Sequence, residues 1–131
     1  ASLFPFGFGL SYTTFNLGKA TVSNDKPRNT ETISLTLPVS NKGKRTGTEI
    51  VQVYVRKIND VDGPLKTLRA FKRIDVKAGQ TVTVTLDLTP EAFEFYDWNQ
   101  RAMAVTPGDY EVLYGNSSDP NDLQSITIKR L

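Results

Sequence analysis

Carboxylates and a small set of aromatics are the side chains in this 131-residue sequence whose types and spacing invite a chemical reading. Cysteine and histidine are both missing, which removes disulfides, thiol nucleophiles, histidine-based triads and ordinary zinc sites together. Two acidic pairs lie close in sequence, Asp60 with Asp62 and Glu91 with Glu94. Paired carboxylates can serve as general acid and base when they face one substrate. The first pair, however, sits in a glycine–proline turn, and the second in a single helical turn, so both read as solvated surface acids and no catalytic residue is expected. Asp119, Asn121 and Asp122 offer oxygen ligands within one loop. Their spacing lacks the glycine and the closing bidentate glutamate of a dedicated calcium loop, so they read as turn formers, with no metal and no cofactor expected. Asn116-Ser117-Ser118 is an N-glycosylation sequon, meaningful only in a eukaryotic secretory host. Trp98, Tyr96 and Tyr54 could form a platform for stacking a pyranose ring. The competing reading packs Trp98 at one end of the fold and Tyr54 against a partner domain.

The elements that must position these residues are short strands punctuated by turns. Phe15 to Val22 supplies a first strand, closed by the polar run Ser23 to Asn29. In Thr32 to Val39, Ile33, Leu35, Leu37 and Val39 share one face, the signature of a half-buried strand. Pro38 cannot donate to a ladder and predicts a bulge, a strand end or an edge. From Thr48 to Ile58, Val51, Val53 and Val55 face the core and Tyr54 the other side. After the turn Asn59 to Pro64, the segment Leu65 to Val76 mixes apolar and basic residues, and Val82, Val84, Leu86 and Leu88 make the cleanest alternation in the chain. Thr89-Pro90-Glu91-Ala92 predicts a single helical turn with a hydroxyl cap. Phe93, Phe95, Tyr96 and Trp98 then resume a strand-like run ending in the turn Asp97 to Gln100, and Met103 to Val105, Tyr110 to Gly115 and Ile126 to Ile128 complete the set. Seven or more strands at this spacing predict an all-β antiparallel sandwich.

Composition narrows the function classes. The net charge of +2 comes from 16 basic and 14 acidic residues, interspersed along the chain, so a nucleic-acid partner is not expected. No run approaches the length of a membrane span, and no signal peptide is evident, which a segment cut from a longer protein would not carry in any case.

The stretch Phe4-Pro5-Phe6-Gly7-Phe8-Gly9-Leu10-Ser11-Tyr12-Thr13-Thr14-Phe15 interleaves aromatic anchors with residues where the backbone turns sharply. It predicts an irregular arm over residues 1–14, docked on an apolar surface through Phe4, Phe6, Phe8, Leu10 and Tyr12, ahead of a sandwich over residues 15–131. This stretch resembles the signature joining the catalytic part of family 3 glycoside hydrolases to their C-terminal fibronectin type III-like domain. Further matches follow in order: Asn41, Gly43 and Gly47 with Val51-Gln52-Val53-Tyr54-Val55, then Leu68-Arg69-Ala70-Phe71-Lys72-Arg73, Gly79-Gln80 leading into Val82 to Leu88, and Pro107-Gly108-Asp109-Tyr110 through Gly115-Asn116-Ser117-Ser118.

The resemblance implies a fibronectin type III/immunoglobulin-like β-sandwich of about seven strands. It also implies a non-catalytic accessory domain that stabilises and positions the catalytic domains of an exo-acting β-glucosidase or β-xylosidase, exported to the periplasm or the extracellular space. In that family the nucleophilic aspartate and the acid/base glutamate lie in upstream domains, so the two carboxylates that glycoside hydrolysis needs across one sugar are not expected here. The partners implied are those catalytic domains, with weak polysaccharide binding and self-association through the arm as further candidates. The alternatives are a carbohydrate-binding module gripping polymer through exposed aromatics, or an adhesion or scaffold module on the same sandwich.

Overall fold

A computed structural model describes residues 15–28, 30–58, 66–116 and 123–131. The arm residues Phe4, Phe6, Phe8, Leu10 and Tyr12, the pair Asp60 and Asp62, and the loop residues Asp119, Asn121 and Asp122 lie outside the described residues.

Strands β1 (Phe15–Leu17), β2 (Thr21–Val22), β3 (Ile33–Asn41) and β6 (Thr81–Leu88) form one sheet, with β3 between β1/β2 on one side and β6 on the other. The second sheet runs β10 (Gln124–Arg130), β9 (Gly108–Asn116), β4 (Gly47–Lys57) and β5 (Thr67–Val76). All pairings are antiparallel. Counting β1 and β2 as one interrupted strand, the two sheets hold seven strands among the described residues, as expected. A hairpin, β7 (Phe95–Asp97) with β8 (Ala102–Ala104), is inserted in the connection between β6 and β9 after a short 3-10 helix, Pro90–Phe93.

The two-residue period of each strand dictates what is buried. Ile33, Leu35, Leu37 and Val39 from one sheet join Val51, Val53, Val55, Val112 and Ile128 from the other, all fully buried, in a core completed by Val84, Leu86, Leu88, Phe93, Tyr110 and Tyr114. Each such side chain contributes about 1.5–3 kcal/mol over leaving it in water.

Three local features depart from expectation. The first strand is not continuous from Phe15 to Val22: it breaks at Gly18–Ala20, between β1 and β2. Pro38 lies inside β3, neither at a strand end nor on an edge, and the irregularity it requires falls on this neighbour. The Pro38 carbonyl accepts from the Gly18 N–H at 2.8 Å, so the N–H that proline lacks would have pointed at the break. A β-carbon on Gly18 would meet Pro38 Cγ at 2.5 Å, so only glycine fits there. The opposite sheet holds the break in place, because the Tyr114 hydroxyl accepts from the Ala20 N–H at 2.8 Å and Gln124 Nε2 donates to the Leu17 carbonyl at 3.0 Å. Thirdly, Thr89 stands at the N-cap of the 3-10 helix without a side-chain capping bond, Pro90 already having removed one donor from the first turn.

The ends of the sandwich are closed differently. Where β3 meets β4, Asn41 is fully buried. Its Nδ2 donates to the carbonyls of Arg45 (2.7 Å) and Val76 (2.9 Å), and its Oδ1 accepts from the Gly43 N–H (2.8 Å). Its backbone pairs with Gln80 and Gly79, both at 2.9 Å, and Gly79 adopts a φ of 73 that favours glycine. At the opposite end, the Tyr110 hydroxyl donates to the Thr106 carbonyl four residues upstream at 2.6 Å, the corner that immunoglobulin-like sandwiches build at the start of the equivalent strand. The buried Arg130 stacks 4.6 Å over Phe93 and donates to the carbonyls of Arg28 (2.7 Å) and Glu31 (2.9 Å).

Candidate functional site

The β7–β8 hairpin is where the molecule presents its largest aromatic side chains to solvent, and its position follows from the anchors beneath it. Phe93, fully buried, meets Tyr110 edge-on at 5.3 Å and 84°. Phe95 lies tilted on the same ring at 6.1 Å. Arg69 clamps the other side. In the β4–β5 ladder Val53 pairs with Ala70 but Tyr54 with Leu68, so Arg69 is the extra residue of a β-bulge, and the bulge re-aims its side chain. Its guanidinium lies 4.8 Å over Phe95 and donates to the Glu94 carbonyl. Burial pushes the guanidinium below its ordinary basicity, while the nearby Glu94 carboxylate opposes the shift.

With Phe95 and Asp97 turned inward, alternation puts Tyr96 on the outer face opposite Met103 of β8. Tyr96 is 41% exposed, Trp98 64% and Met103 54%. The turn between the strands is held by Asp97, whose carboxylate accepts from the Asn99 N–H at 3.2 Å and from Gln100 Nε2 at 2.7 Å. Arg101 completes it at a φ of 54. Trp98 is thus carried on a fastened turn.

The structure brings Tyr96 and Trp98 together and leaves Tyr54 elsewhere. The two hairpin rings meet at 4.6 Å with 71° between their planes, so they offer no shared flat surface for consecutive sugar rings. Tyr54 lies on the outer face of β4, its hydroxyl donating to Gln52 Oε1 at 2.8 Å and its ring 5.8 Å from the Lys66 ammonium. Trp98 does not pack into the end of the sandwich, the bland alternative for it, because the anchoring there is done by Phe93 and Phe95. Sequence reasoning did not single out Met103, Leu68 or Phe71 as surface residues. Met103 becomes part of the face only through its register with Tyr96, whereas Leu68 and Phe71 lie exposed on the edge strand β5, on either side of the bulge.

The described acidic pair offers little for acid–base work. Glu91 is exposed on the 3-10 helix, its carboxyl held below the usual range chiefly by its own backbone N–H, whereas a proton donor needs the reverse shift. Glu94 closes that helix with its backbone, and its carbonyl is taken by Arg69.

Comparison with known proteins adds the context. Residues 49–118 match the family model of the fibronectin type III-like domain. The chain is 48% identical over 127 residues to a xylan 1,4-β-xylosidase of Xylanibacter ruminicola, covering 97% of this chain and 14% of that protein. It is 35% identical over 118 residues to a periplasmic β-glucosidase of Salmonella typhimurium, covering 88% of this chain and 15% of that protein. A crystal structure of a Listeria innocua β-glucosidase in complex with glucose superposes with a TM-score of 0.81 at 32% identity, over 97% of this chain and 17% of that one. The chain therefore spans about one-sixth or less of the length of these relatives.

Proposed function

The chain belongs to the fibronectin type III-like domain family, and from that premise we propose that it is a non-catalytic accessory domain of a family 3 glycoside hydrolase, an exo-acting β-glucosidase or β-xylosidase. The observation that carries this reading is the coverage: nearly the whole chain aligns with only 14% and 15% of glycosidases that are several times longer. Catalysis of sugar transfer needs two carboxylates across one sugar, roughly 5–5.5 Å or 6.5–9.5 Å apart, and those groups belong to the remainder of the parent. Residues 1–14 are the link, with Phe4, Phe6, Phe8, Leu10 and Tyr12 laid on the catalytic domains, and residues 15–131 are the folded unit. Its role is mechanical: burying apolar surface against larger domains fixes their relative position and so the geometry of an active site built between them. The parent works in the periplasm or outside the cell, as the name of the Salmonella relative suggests by analogy. Left without its partners, the arm also favours self-association.

The test is an assay of the purified chain on aryl β-glucosides and β-xylosides. No turnover above buffer is expected. Turnover that survives purification and disappears in Glu91→Gln or Glu94→Gln overturns the reading.

A further inference from the structure

We propose that the Tyr96–Trp98–Met103 face of the β7–β8 hairpin is a docking surface for another domain of the parent glycosidase, a proposal that rests on the accessory-domain reading. Three observations lead there. The side chains are of the kinds that dominate protein interfaces, aromatic and thioether, and they stand 41%, 64% and 54% exposed on one face. The hairpin that carries them is preorganised: Phe95 lies against Tyr110, Arg69 clamps Glu94 and Phe95, and Asp97 holds the turn. Little ordering entropy is then left to lose on docking. The steep angle between the Tyr96 and Trp98 planes, with a thioether beside them, suits an irregular protein surface better than a flat sugar chain.

The occupant follows from the company the domain keeps. In its relatives the matched segment is 14–17% of the whole, so the surface at highest effective concentration is the remainder of the same polypeptide. Position supports the same choice. Phe15, where the link meets the sandwich, pairs with Asn41 at one end of β3, whereas Leu88, which leads to the hairpin, pairs with Ile33 at the other. Eight strand steps, about 26 Å, separate these ends. A domain held only through its link can pivot about it, and a second contact at the far end fixes its orientation.

The experiment places this chain in the full-length xylosidase relative, replacing the matched segment, and compares amide hydrogen exchange with that of the isolated chain. Residues 95–104 are expected to exchange at least about tenfold more slowly in the chimera. Trp98→Ala combined with Met103→Ala, or Trp98→Glu alone, should return them to the isolated-chain rate. Protection confined to other parts of the sandwich, or protection that survives both variants, overturns the hairpin proposal and leaves the accessory reading standing. Faster exchange of 95–104 caused by the variants in the isolated chain shows that these side chains merely hold the hairpin together, and also overturns it. So does protection of the hairpin in the isolated chain by xylohexaose, which assigns the face to glycan. If no part of the sandwich gains protection in the chimera, the accessory reading falls and the docking surface with it.

Discussion

At the end of the sandwich where β1 begins, a buried amide does the joining, Asn41 serving Gly43, Arg45 and Val76 through directional bonds of 2.7–2.9 Å. At the other end rings share the joining with the Tyr110 and Arg130 hydrogen bonds: Phe93 and Phe95 lie on Tyr110, Arg130 over Phe93 and Arg69 over Phe95. Hydrogen bonds that saturate a buried group leave it nothing more to offer, and the Asn41 amide is spent in this way. Ring packing has no such limit. A hairpin built on stacked aromatics can hold its own base and still carry further aromatics outward, as the exposed Tyr96 and Trp98 are carried here.

The contrast can be broken at its strongest point first. Phe93→Ala removes the ring on which both Tyr110 and Arg130 lean. It should destabilise the chain by about 3–5 kcal/mol in urea denaturation. A loss under about 1 kcal/mol would mean that the ring-built end does not depend on its rings. Asn41→Ala strands the Arg45 and Val76 carbonyls and the Gly43 N–H together. A loss of about 2–3 kcal/mol is expected by the same measurement, and the two substitutions should add, because they lie at opposite ends. The smallest effect is a matter of pH. Glu31 accepts from the Arg28 N–H at 3.1 Å and from Asn24 Nδ2 at 3.2 Å, and these bonds, the backbone one first, hold its carboxyl below the usual range. A carboxyl whose folded pKa is depressed stabilises the fold above its ordinary pKa, and that contribution fades as pH falls through the lower folded value. Glu31→Gln should therefore flatten the acid limb of the stability profile by lowering stability near neutral pH, while leaving stability at low pH little changed. An unaltered acid limb would show that this corner titrates elsewhere.

The sandwich was legible because its strands follow a period of two for long stretches. The apolar residues of Ile33 to Val39, Val51 to Val55 and Val84 to Leu88 are buried as their alternation requires. What escaped the sequence was cross-chain. The break at Gly18–Ala20 is set by Pro38 and Tyr114, far away in sequence, and Gly18 is its one local mark. The bulge at Arg69 depends on how β4 and β5 slide past one another. For the candidate site, Tyr96 and Trp98 drew notice by type, but their mutual angle and the arrival of Met103 beside them depend on the register of β7 with β8. Tyr54 drew notice for the same reason and belongs to another surface.

Arg130 and the strand that carries it also bear on the order in which the molecule is made. The carbonyls of Asp25, Pro27, Arg28 and Glu31 receive donors from the C-terminal strand and the residue after it: the Lys129 N–H donates to Asp25, the Leu131 N–H to Pro27, and the Arg130 guanidinium to Arg28 and Glu31. The last two of these bonds join positions 102 and 99 residues apart. Connections of this span are slow to form, because the loop must close before anything is gained. During synthesis on the ribosome, the first sheet can pair internally from β1 to β6 with the β4–β5 pair already made, yet the second sheet stays incomplete until β9 and β10 emerge. The last joint of the domain therefore forms late, and whatever precedes it in a parent polypeptide has the time to fold first.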